Sequence, residues 1–177
     1  MQAARGTSLS PDSGPTTHTS VRLFAIVVAL TLVVDQVTKY LAVDKLQDRA
    51  PIEIIPNVLS LTFFRNAGAA FSTGTGFTLV LSLIAIAVCV AVIRMATRLR
   101  DRGWAIGLGL LLAGALGNLA DRIFREPSPL KGHVVDFIDY GIFVGNVADI
   151  ALTFAAVVIV WRTWRGIAID GTREGAK

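Results

Sequence analysis

Residues 145–164 read GNVADIALTFAAVVIVWRTW, an apolar run long enough for a helix to cross a bilayer, with Asp149 near its start. A second carboxylate, Asp136, belongs to the motif GHVVDFI (residues 132–138), in the loop just before this run. Ionised groups are costly at a membrane, so a carboxylate at its edge is by default a functional-site hypothesis. Two carboxylates that can meet indicate acid/base chemistry.

The composition indicates a membrane protein. Apolar residues make up 53% of the 177 residues, and the mean hydropathy is +0.61. The single cysteine, Cys89, lies inside an apolar run, which excludes a disulfide framework and a thiol metal site. With only His18 and His133, and no His-x-x-x-His pair, a zinc site is not expected. We therefore expect no metal ion and no organic cofactor.

Four segments have the length and apolarity of membrane-spanning helices. The sequence therefore predicts an all-α membrane protein with four transmembrane helices in a single domain over residues 21–165. Residues 1–20, rich in Ser, Thr, Pro and Gly, predict a disordered tail, and residues 166–177 predict a second tail. The predicted helices cover about residues 21–43, 77–96, 103–120 and 145–164.

The basic residues predict the orientation. Lys and Arg exceed Asp and Glu in the N-terminal tail, in the 94–102 turn and after residue 161, whereas the two longer connections are balanced. By the positive-inside rule, both termini face the cytoplasm, and the connections 44–76 and 122–144 lie outside. Because the basic residues flank helices and form no patch with stacking aromatic residues, nucleic-acid binding is not expected.

With this topology, polar residues from separate segments are predicted to meet in one layer near the outer membrane surface. Residues three or four apart share a helix face, so each predicted helix presents its polar groups together. Such convergence is hard to explain by chance. The layer contains Asp35, Lys39, Asn118, Asp121, Arg122, Asp136, Asn146 and Asp149.

Structural roles are also compatible with part of this layer. An ion pair between Asp35 and Lys39 would lock the first helix to its neighbours, and Asp121 beside Arg122 would clamp a helix end. Asparagines commonly form hydrogen bonds between helices in membranes. His133 fits a loop residue or a supporting donor better than a catalyst.

The first outer connection predicts a small β-sheet between helices one and two. Residues 52–55 and 58–64 are rich in β-branched and aromatic residues and are separated by Pro and Asn, so the outer β region covers about residues 50–72. Residues 64–72 read FRNAGAAFS, whose small residues allow a backbone to approach a ligand closely. The alternative interpretation is a tight re-entry into the second helix.

Five motifs, in this order, carry a specific resemblance. They are Asp35-Gln36-x-x-Lys39, Arg65-Asn66-x-Gly68-Ala69-Ala70-Phe71-Ser72, Gly117-Asn118-x-x-Asp121-Arg122, Val134-Val135-Asp136-Phe137 and Asn146-x-Ala148-Asp149. On these residues the chain resembles the bacterial lipoprotein signal peptidases (signal peptidase II), a family of membrane aspartyl proteases. The chain departs from the family pattern at Gly145, where an aromatic residue often stands, and in the two prolines of residues 124–131.

The resemblance implies that Asp136 and Asp149 are the catalytic dyad. It implies an enzyme of the bacterial inner membrane with its active site near the outer face. The enzyme is expected to be a monomer in contact with membrane lipid. The implied substrate is a prolipoprotein whose cysteine carries a diacylglyceryl group, cut on the N-terminal side of that cysteine. Substrate-binding or supporting roles are implied for Asp35, Lys39, Asn66, Gly68, Asn118, Asp121, Arg122 and Asn146.

Two close carboxylates cannot both ionise cheaply, so the pair is expected to share a proton. One partner then acts as general base on a water while the other donates to the scissile carbonyl oxygen. The sequence does not assign the proton to either residue.

Other classes of function remain open at this stage. A proton-coupled transporter also uses carboxylates within the membrane, although its sites usually lie near the midplane between repeats. A Ser/Lys peptidase would use Ser72 with Lys39 or Lys131, but no nucleophile motif supports it. A membrane scaffold without catalysis would not require so many polar motifs at one depth.

Overall fold

The computed structural model describes residues 17–68, 74–127 and 129–173. Three parts of the sequence predictions lie outside these described residues. They are most of the predicted N-terminal tail (1–16), the end of the FRNAGAAFS segment (69–72), and the last part of the predicted C-terminal tail (174–177).

Four helices are long and apolar enough to cross a membrane, which confirms the predicted fold class. They are α1 (Thr17–Leu46), α2 (Gly74–Ala96), α3 (Arg102–Phe124) and α4 (Val147–Trp164). Helix α1 takes in residues 17–20, which the sequence assigned to the tail, and α3 continues beyond the predicted end at residue 120. In α3, low hydropathy ends the predicted helix at its first charged residues, but Asp121 finds partners in Lys39 and Arg125 and the helix continues.

A four-stranded antiparallel sheet lies at one end of the helices. Its strands are β1 (Ile52–Ile55), β2 (Leu59–Asn66), β3 (Val134–Asp139) and β4 (Val144–Gly145), and they pair in the order β1-β2-β3-β4. The sequence predicted strands only in the first connection and placed Asp136 in a loop. The second connection in fact contributes half of the strands, and Asp136 lies on β3.

The sheet is joined to the helices by a small apolar cluster. Val135 and Phe137 of β3 pack with Ala42 and Leu46 at the end of α1. The register of β2 against β3 places Phe64 opposite Asp136 and Asn66 opposite Val134. Sheet and bundle therefore hold β3 from two sides.

Helix α3 is the centre of the bundle and packs against each of the other three helices. Small residues allow this close packing. A Cβ atom at Gly114 would lie 2.7 Å from the Ala148 carbonyl oxygen, and one at Gly117 would contact the Asp35 carboxylate. Glycines on α3 therefore bring α1 and α4 near enough for their polar groups to meet at one level.

At the opposite end of the bundle, the chain after α4 folds back onto the turn between α2 and α3. The indole Nε1 of Trp104 donates to the Ile167 carbonyl oxygen at 2.7 Å, and Ile167 forms an isolated β-bridge with Arg173. Part of the predicted C-terminal tail thus has a defined structure. Asp101, the N-cap of α3, accepts from the Trp104 backbone N–H at 2.8 Å and pairs with Arg162.

Candidate active site

Asp136 is the more deeply buried of the two candidate catalytic carboxylates, with 1% of its surface exposed. Strand pairing carries it to the inner side of the sheet, where two amides reach it. Asn66 Nδ2 donates to one oxygen at 2.7 Å, and Asn146 Nδ2 donates to the other at 2.5 Å. The carboxyl group is therefore fixed on both sides by neutral donors.

Asp149 lies in the first turn of α4 and is partly exposed. Asn146 is the N-cap of this helix: its side-chain oxygen accepts from the Asp149 backbone N–H at 3.1 Å. The Asp149 carboxylate in return accepts from the Asn146 backbone N–H at 3.1 Å. This capping box satisfies two amide groups at the helix start and fixes the direction of the Asp149 side chain.

Asn118 and Asn146 connect the two carboxylates. Asn118 Nδ2 donates to Asp149 at 3.0 Å, and Asn118 Oδ1 accepts from Asn146 Nδ2 at 3.2 Å. Since Asn146 Nδ2 also reaches Asp136, a short chain of amides runs from one carboxylate to the other. Asp136 and Asp149 thus belong to one hydrogen-bonded unit built from β3, α3 and α4.

A buried ammonium group supports this unit from below. Lys39 is fully buried, and its Nζ contacts Asp35 at 3.0 Å, Asp121 at 3.0 Å and Asn118 Oδ1 at 2.9 Å. A lysine has three donors and no acceptor, so these three contacts use its full capacity. The predicted pair of Asp35 with Lys39 is present, whereas Asp121 pairs with Lys39 and Arg125 instead of the adjacent Arg122.

The two acidic partners of Lys39 also hold backbone groups of the site. Asp35 accepts from the Ala148 backbone N–H in the first turn of α4 at 2.9 Å. Asp121 accepts from the Val135 backbone N–H at 3.1 Å and from Arg125 Nε at 2.7 Å. Helix α1 thereby positions the start of α4, and α3 positions β3, so each candidate catalytic residue stands beside a residue that this network fixes.

Arg122 is aimed at the same region. Its guanidinium Nη1 donates to the Asn118 carbonyl oxygen at 3.3 Å, and its charge acts on Asp149, Asp121 and Asp136. Its Nε is the one buried side-chain nitrogen or oxygen without a hydrogen-bond partner in the described part of the chain. A free buried donor beside two carboxylates is suited to bind a carbonyl or carboxylate oxygen.

The segment after β2 completes the rim of the site. Asn66 Oδ1 accepts from the Gly68 backbone N–H at 2.8 Å, which orients its amide nitrogen toward Asp136. Gly68 has a φ of +100°, and a Cβ atom there would lie 2.9 Å from the Leu81 side chain, so any other residue would meet both backbone strain and a neighbour. Thr78 Oγ1 donates to the Ala67 carbonyl oxygen at 2.5 Å and anchors the segment to α2.

Burial raises the pKa of Asp136 from 3.8 to about 6. The Asn66 and Asn146 hydrogen bonds act in the opposite direction, because an amide donor stabilises the carboxylate, and the neighbouring Asp149 charge raises the pKa further. Burial outweighs the donors. A carboxyl group that exchanges its proton near neutral pH, next to a second carboxyl group, suits general acid/base catalysis.

Every residue of the predicted polar layer thus lies in this cluster, joined there by Asn66 and Gly68. Sequence reasoning missed the contribution of backbone groups, namely the amides of Val135 and Ala148, and the role of Gly117 in admitting Asp35. Asp139, at the end of β3, lies apart and accepts from the Gly141 backbone N–H at 2.8 Å. The described residues contain no group of three His, Cys, Asp or Glu side chains arranged to hold a metal ion.

A cavity of about 200 Å³ opens beside Asp149. Asn146 and Asp149 form its polar end, and the remaining lining is largely apolar. Phe143 and Phe154, two of its aromatic walls, are themselves more than half exposed. The apolar lining consists mainly of Tyr140, Phe143, Ile150 and Phe154.

Comparison with known proteins gives one family. The family model described as "Signal peptidase (SPase) II" matches residues 27–165. The lipoprotein signal peptidase of Rhodococcus jostii is 44% identical over 164 residues, which cover 92% of this chain and 83% of the relative. The lipoprotein signal peptidase of Mycobacterium avium is 47% identical over 172 residues, or 96% of this chain and 93% of the relative.

Two solved structures described as bacterial membrane enzymes share the fold. One has a TM-score of 0.66 at 32% identity and covers 82% of this chain and 92% of its own. The other has a TM-score of 0.69 at 28% identity and covers 95% of this chain and 100% of its own.

Proposed function

Since the chain belongs to the signal peptidase II family and is a membrane aspartic endopeptidase that removes signal peptides from prolipoproteins, we propose that Asp136 and Asp149 are its catalytic dyad. The observation that carries this proposal is the amide chain through Asn118 and Asn146 that joins the two carboxylates. No other pair of carboxylates in the described residues shares such a link beside an open cavity.

In the proposed mechanism the dyad holds one proton between its two carboxyl groups. The ionised partner takes a proton from a water molecule, which attacks the scissile carbonyl carbon. The protonated partner donates its proton to the carbonyl oxygen, which gives a neutral gem-diol. The partner that took the water proton then donates it to the amine nitrogen as the C–N bond breaks, while the other carboxylate takes a proton back from the gem-diol. Because the two groups titrate as a pair, the proton belongs to the dyad rather than to one residue.

The supporting residues have separable proposed roles. Arg122, with its free Nε, binds a backbone carbonyl of the substrate near the scissile bond. Asn66, Asn118 and Asn146 hold the carboxylates in place. The Lys39 network positions those amides, and Gly68 lets the segment after β2 lie against Leu81 of α2.

The proposed substrate is a prolipoprotein whose cysteine carries a diacylglyceryl group, cut on the N-terminal side of that cysteine. The apolar cavity beside Asp149 supports this proposal, because it joins the polar end of the site to exposed aromatic side chains at the membrane. Such a path admits an apolar chain laterally while the peptide bond stays at the carboxylates. All candidate site residues come from one chain, so we propose that a monomer suffices.

The proposed orientation places both termini in the cytoplasm and the sheet with the dyad at the outer face. The arginine-rich turn between α2 and α3 lies at the end of the bundle opposite to the dyad, and basic residues favour the cytoplasmic side. Labelling of a single introduced cysteine tests this: in intact cells a membrane-impermeant maleimide should label Glu53→Cys and spare Thr97→Cys. The reverse pattern would invert the orientation.

The dyad is tested by co-expression with a lipid-modified prolipoprotein in cells that lack their own processing enzyme. Wild type should cleave, Asp136→Asn and Asp149→Asn should not, and Asp139→Asn should cleave as a control from the same strand. Membrane levels of all four proteins are measured by immunoblot. Cleavage by either dyad variant would overturn the assignment. A prolipoprotein without the lipid should stay uncut, and its cleavage would refute the lipid requirement.

A further inference from the structure

The end of the molecule opposite to the dyad carries three neighbouring cavities, of about 480, 370 and 420 Å³. Arg98 lines all three. We call this region the arginine pocket. Its cationic wall is Arg94, Arg98 and Arg100, and its apolar wall is Trp104, Ile167 and Ile169.

The arginine pocket has an excess of unpaired positive charge. Arg94, Arg98 and Arg100 are exposed, and none of them has an ion-pair partner among residues 17–68, 74–127 and 129–173. The one acidic side chain in the lining, Asp170, is occupied by Thr172, whose backbone N–H and hydroxyl donate to it at 3.0 and 2.7 Å. Arg98 and Arg100 therefore share the lining with one carboxylate that already has partners, and Arg94 lines a cavity without an acidic residue.

The backbone around the pocket is held in place. The backbone N–H groups of Arg100 and Asp101 both donate to the Ile169 carbonyl oxygen, at 3.0 and 3.2 Å. Leu99, between Arg98 and Arg100, is fully buried. Together with the Trp104–Ile167 hydrogen bond, these contacts fix the segment after α4 against the turn after α2. The walls of the pocket are thus preformed.

The pocket also lies at the right depth for a lipid. Arg94 is in the last turn of α2, one of the membrane-spanning helices. Trp161 and Trp164, in the last turns of α4 at the same end, are 50% and 76% exposed. Exposed tryptophans are typical of the headgroup level of a bilayer. The pocket therefore opens where phospholipid headgroups are found.

We propose that the arginine pocket binds the headgroup phosphate of an anionic phospholipid. The guanidinium groups match phosphate oxygens, for which arginine provides paired donors. Trp104, Ile167 and Ile169 would contact the glycerol backbone and the first acyl carbons, a contact that a free phosphate ion cannot make. Basic pockets between membrane helices are suited to such headgroups. This proposal does not depend on the peptidase activity.

The test uses the purified full-length protein in detergent and measures bound phosphatidylglycerol by native mass spectrometry, with phosphatidylcholine as the neutral comparison. The test variant is Arg98→Gln with Arg100→Gln. The matched control is Arg22→Gln with Arg102→Gln, which removes the same charge from exposed positions outside the pocket lining. Arg94→Gln alone serves if the double variant does not fold.

We expect the test variant to lose at least tenfold in affinity for phosphatidylglycerol, while the control and phosphatidylcholine binding stay within twofold of wild type. Unchanged binding by the test variant would overturn the proposal. An equal loss in the control would assign the effect to general surface charge and overturn it as well. Inorganic phosphate is added as a competitor, and displacement of the lipid at equal concentrations would identify a free-phosphate site instead. Cleavage of the prolipoprotein should persist in all variants.

Discussion

Asp136→Asn should make the protein less sensitive to pH than wild type. Burial raises the pKa of Asp136 from 3.8 to about 6 in the folded protein, a difference of about two units, or about 3 kcal/mol. Because the folded pKa lies above the unfolded value, the stabilising contribution is complete below pH 3.8 and is lost as pH rises through about 6. Between pH 5 and 7.5 wild type should lose about 1.4 kcal/mol relative to the variant.

The loss of one hydrogen-bond acceptor in Asp136→Asn adds a constant penalty. Asn66 and Asn146 both donate to the carboxylate, so an amide at this position leaves one donor unpaired, at a cost of about 1–3 kcal/mol. This cost does not change with pH, so the pH dependence of the difference tests the reasoning. Since Asp149 is the neighbouring charge, the measured curve reports the titration of the pair.

The assay is reversible unfolding in detergent micelles, followed by tryptophan fluorescence at a series of pH values. Asp170→Asn is the control. The Thr172 hydroxyl lowers the pKa of Asp170, so the contribution of this carboxylate to stability is lost only in more acidic solution. Between pH 5 and 7.5 the free energy of unfolding of this variant should therefore change with pH as that of wild type does. A difference between Asp136→Asn and wild type that stays constant over this range would refute the argument that burial dominates the Asp136 environment.

Three further substitutions test the supporting structure. Lys39→Met leaves Asp35 buried without its counter-charge and Asp121 with Arg125 alone, and it should cost about 3–5 kcal/mol of stability in the same unfolding assay. A loss below 1 kcal/mol would contradict the buried network. Asn146→Ala removes a helix cap worth about 1 kcal/mol and a hydrogen-bond donor to Asp136. It should lower kcat at least tenfold with a smaller change in KM, and an unchanged kcat would exclude a positioning role for Asn146. Gly117→Ala should destabilise by about 1–3 kcal/mol, because its Cβ meets the Asp35 carboxylate, whereas a neutral result would show that α1 can shift away.

The helices were predictable because a membrane span is a property of composition and length. Twenty apolar residues specify a helix across a bilayer whatever surrounds them. The start of α1 and the end of α3 were less predictable, because polar residues continue each helix there and find partners in other segments. In α1, the Ser20 hydroxyl donates to the Arg100 carbonyl oxygen. Asp121, for example, lies inside α3, where Lys39 and Arg125 hold its carboxylate.

Strand β3 was not predictable from its own residues. Val134, Val135, Asp136 and Phe137 are all buried, so the strand shows no alternation between a polar and an apolar face. In the sequence, a carboxylate within such a short apolar run favours a loop over a strand. Only the pairing with β2 reveals why it is there, since that register brings Asn66 within 2.7 Å of Asp136.

The residues of the candidate site were predictable from the sequence, but the orientations of their side chains were not. Spacing on a helix face places Asp35 beside Lys39 and Asn118 beside Asp121. It does not show which amide atom of Asn118 faces Asp149, or that Asn146 caps a helix and contacts Asp136 as well. Those directions depend on contacts between segments that are distant in sequence.

The buried charges of Lys39, Asp35 and Asp121 are best explained by the orientation that they impose on the Asn118 amide. Burying an ion pair often costs more than the attraction returns, so stability alone is a weak reason for Lys39 and its acidic partners. The ammonium group can only donate, and therefore Asn118 must turn its oxygen toward Lys39. The Asn118 amide nitrogen then has to face Asp149. With an apolar side chain at position 39, the Asn118 oxygen would keep only the longer hydrogen bond from Asn146 Nδ2, at 3.2 Å. The lysine thus acts together with Asn146 to turn the Asn118 amide nitrogen toward Asp149, and this orientation is what the buried cation contributes to the site.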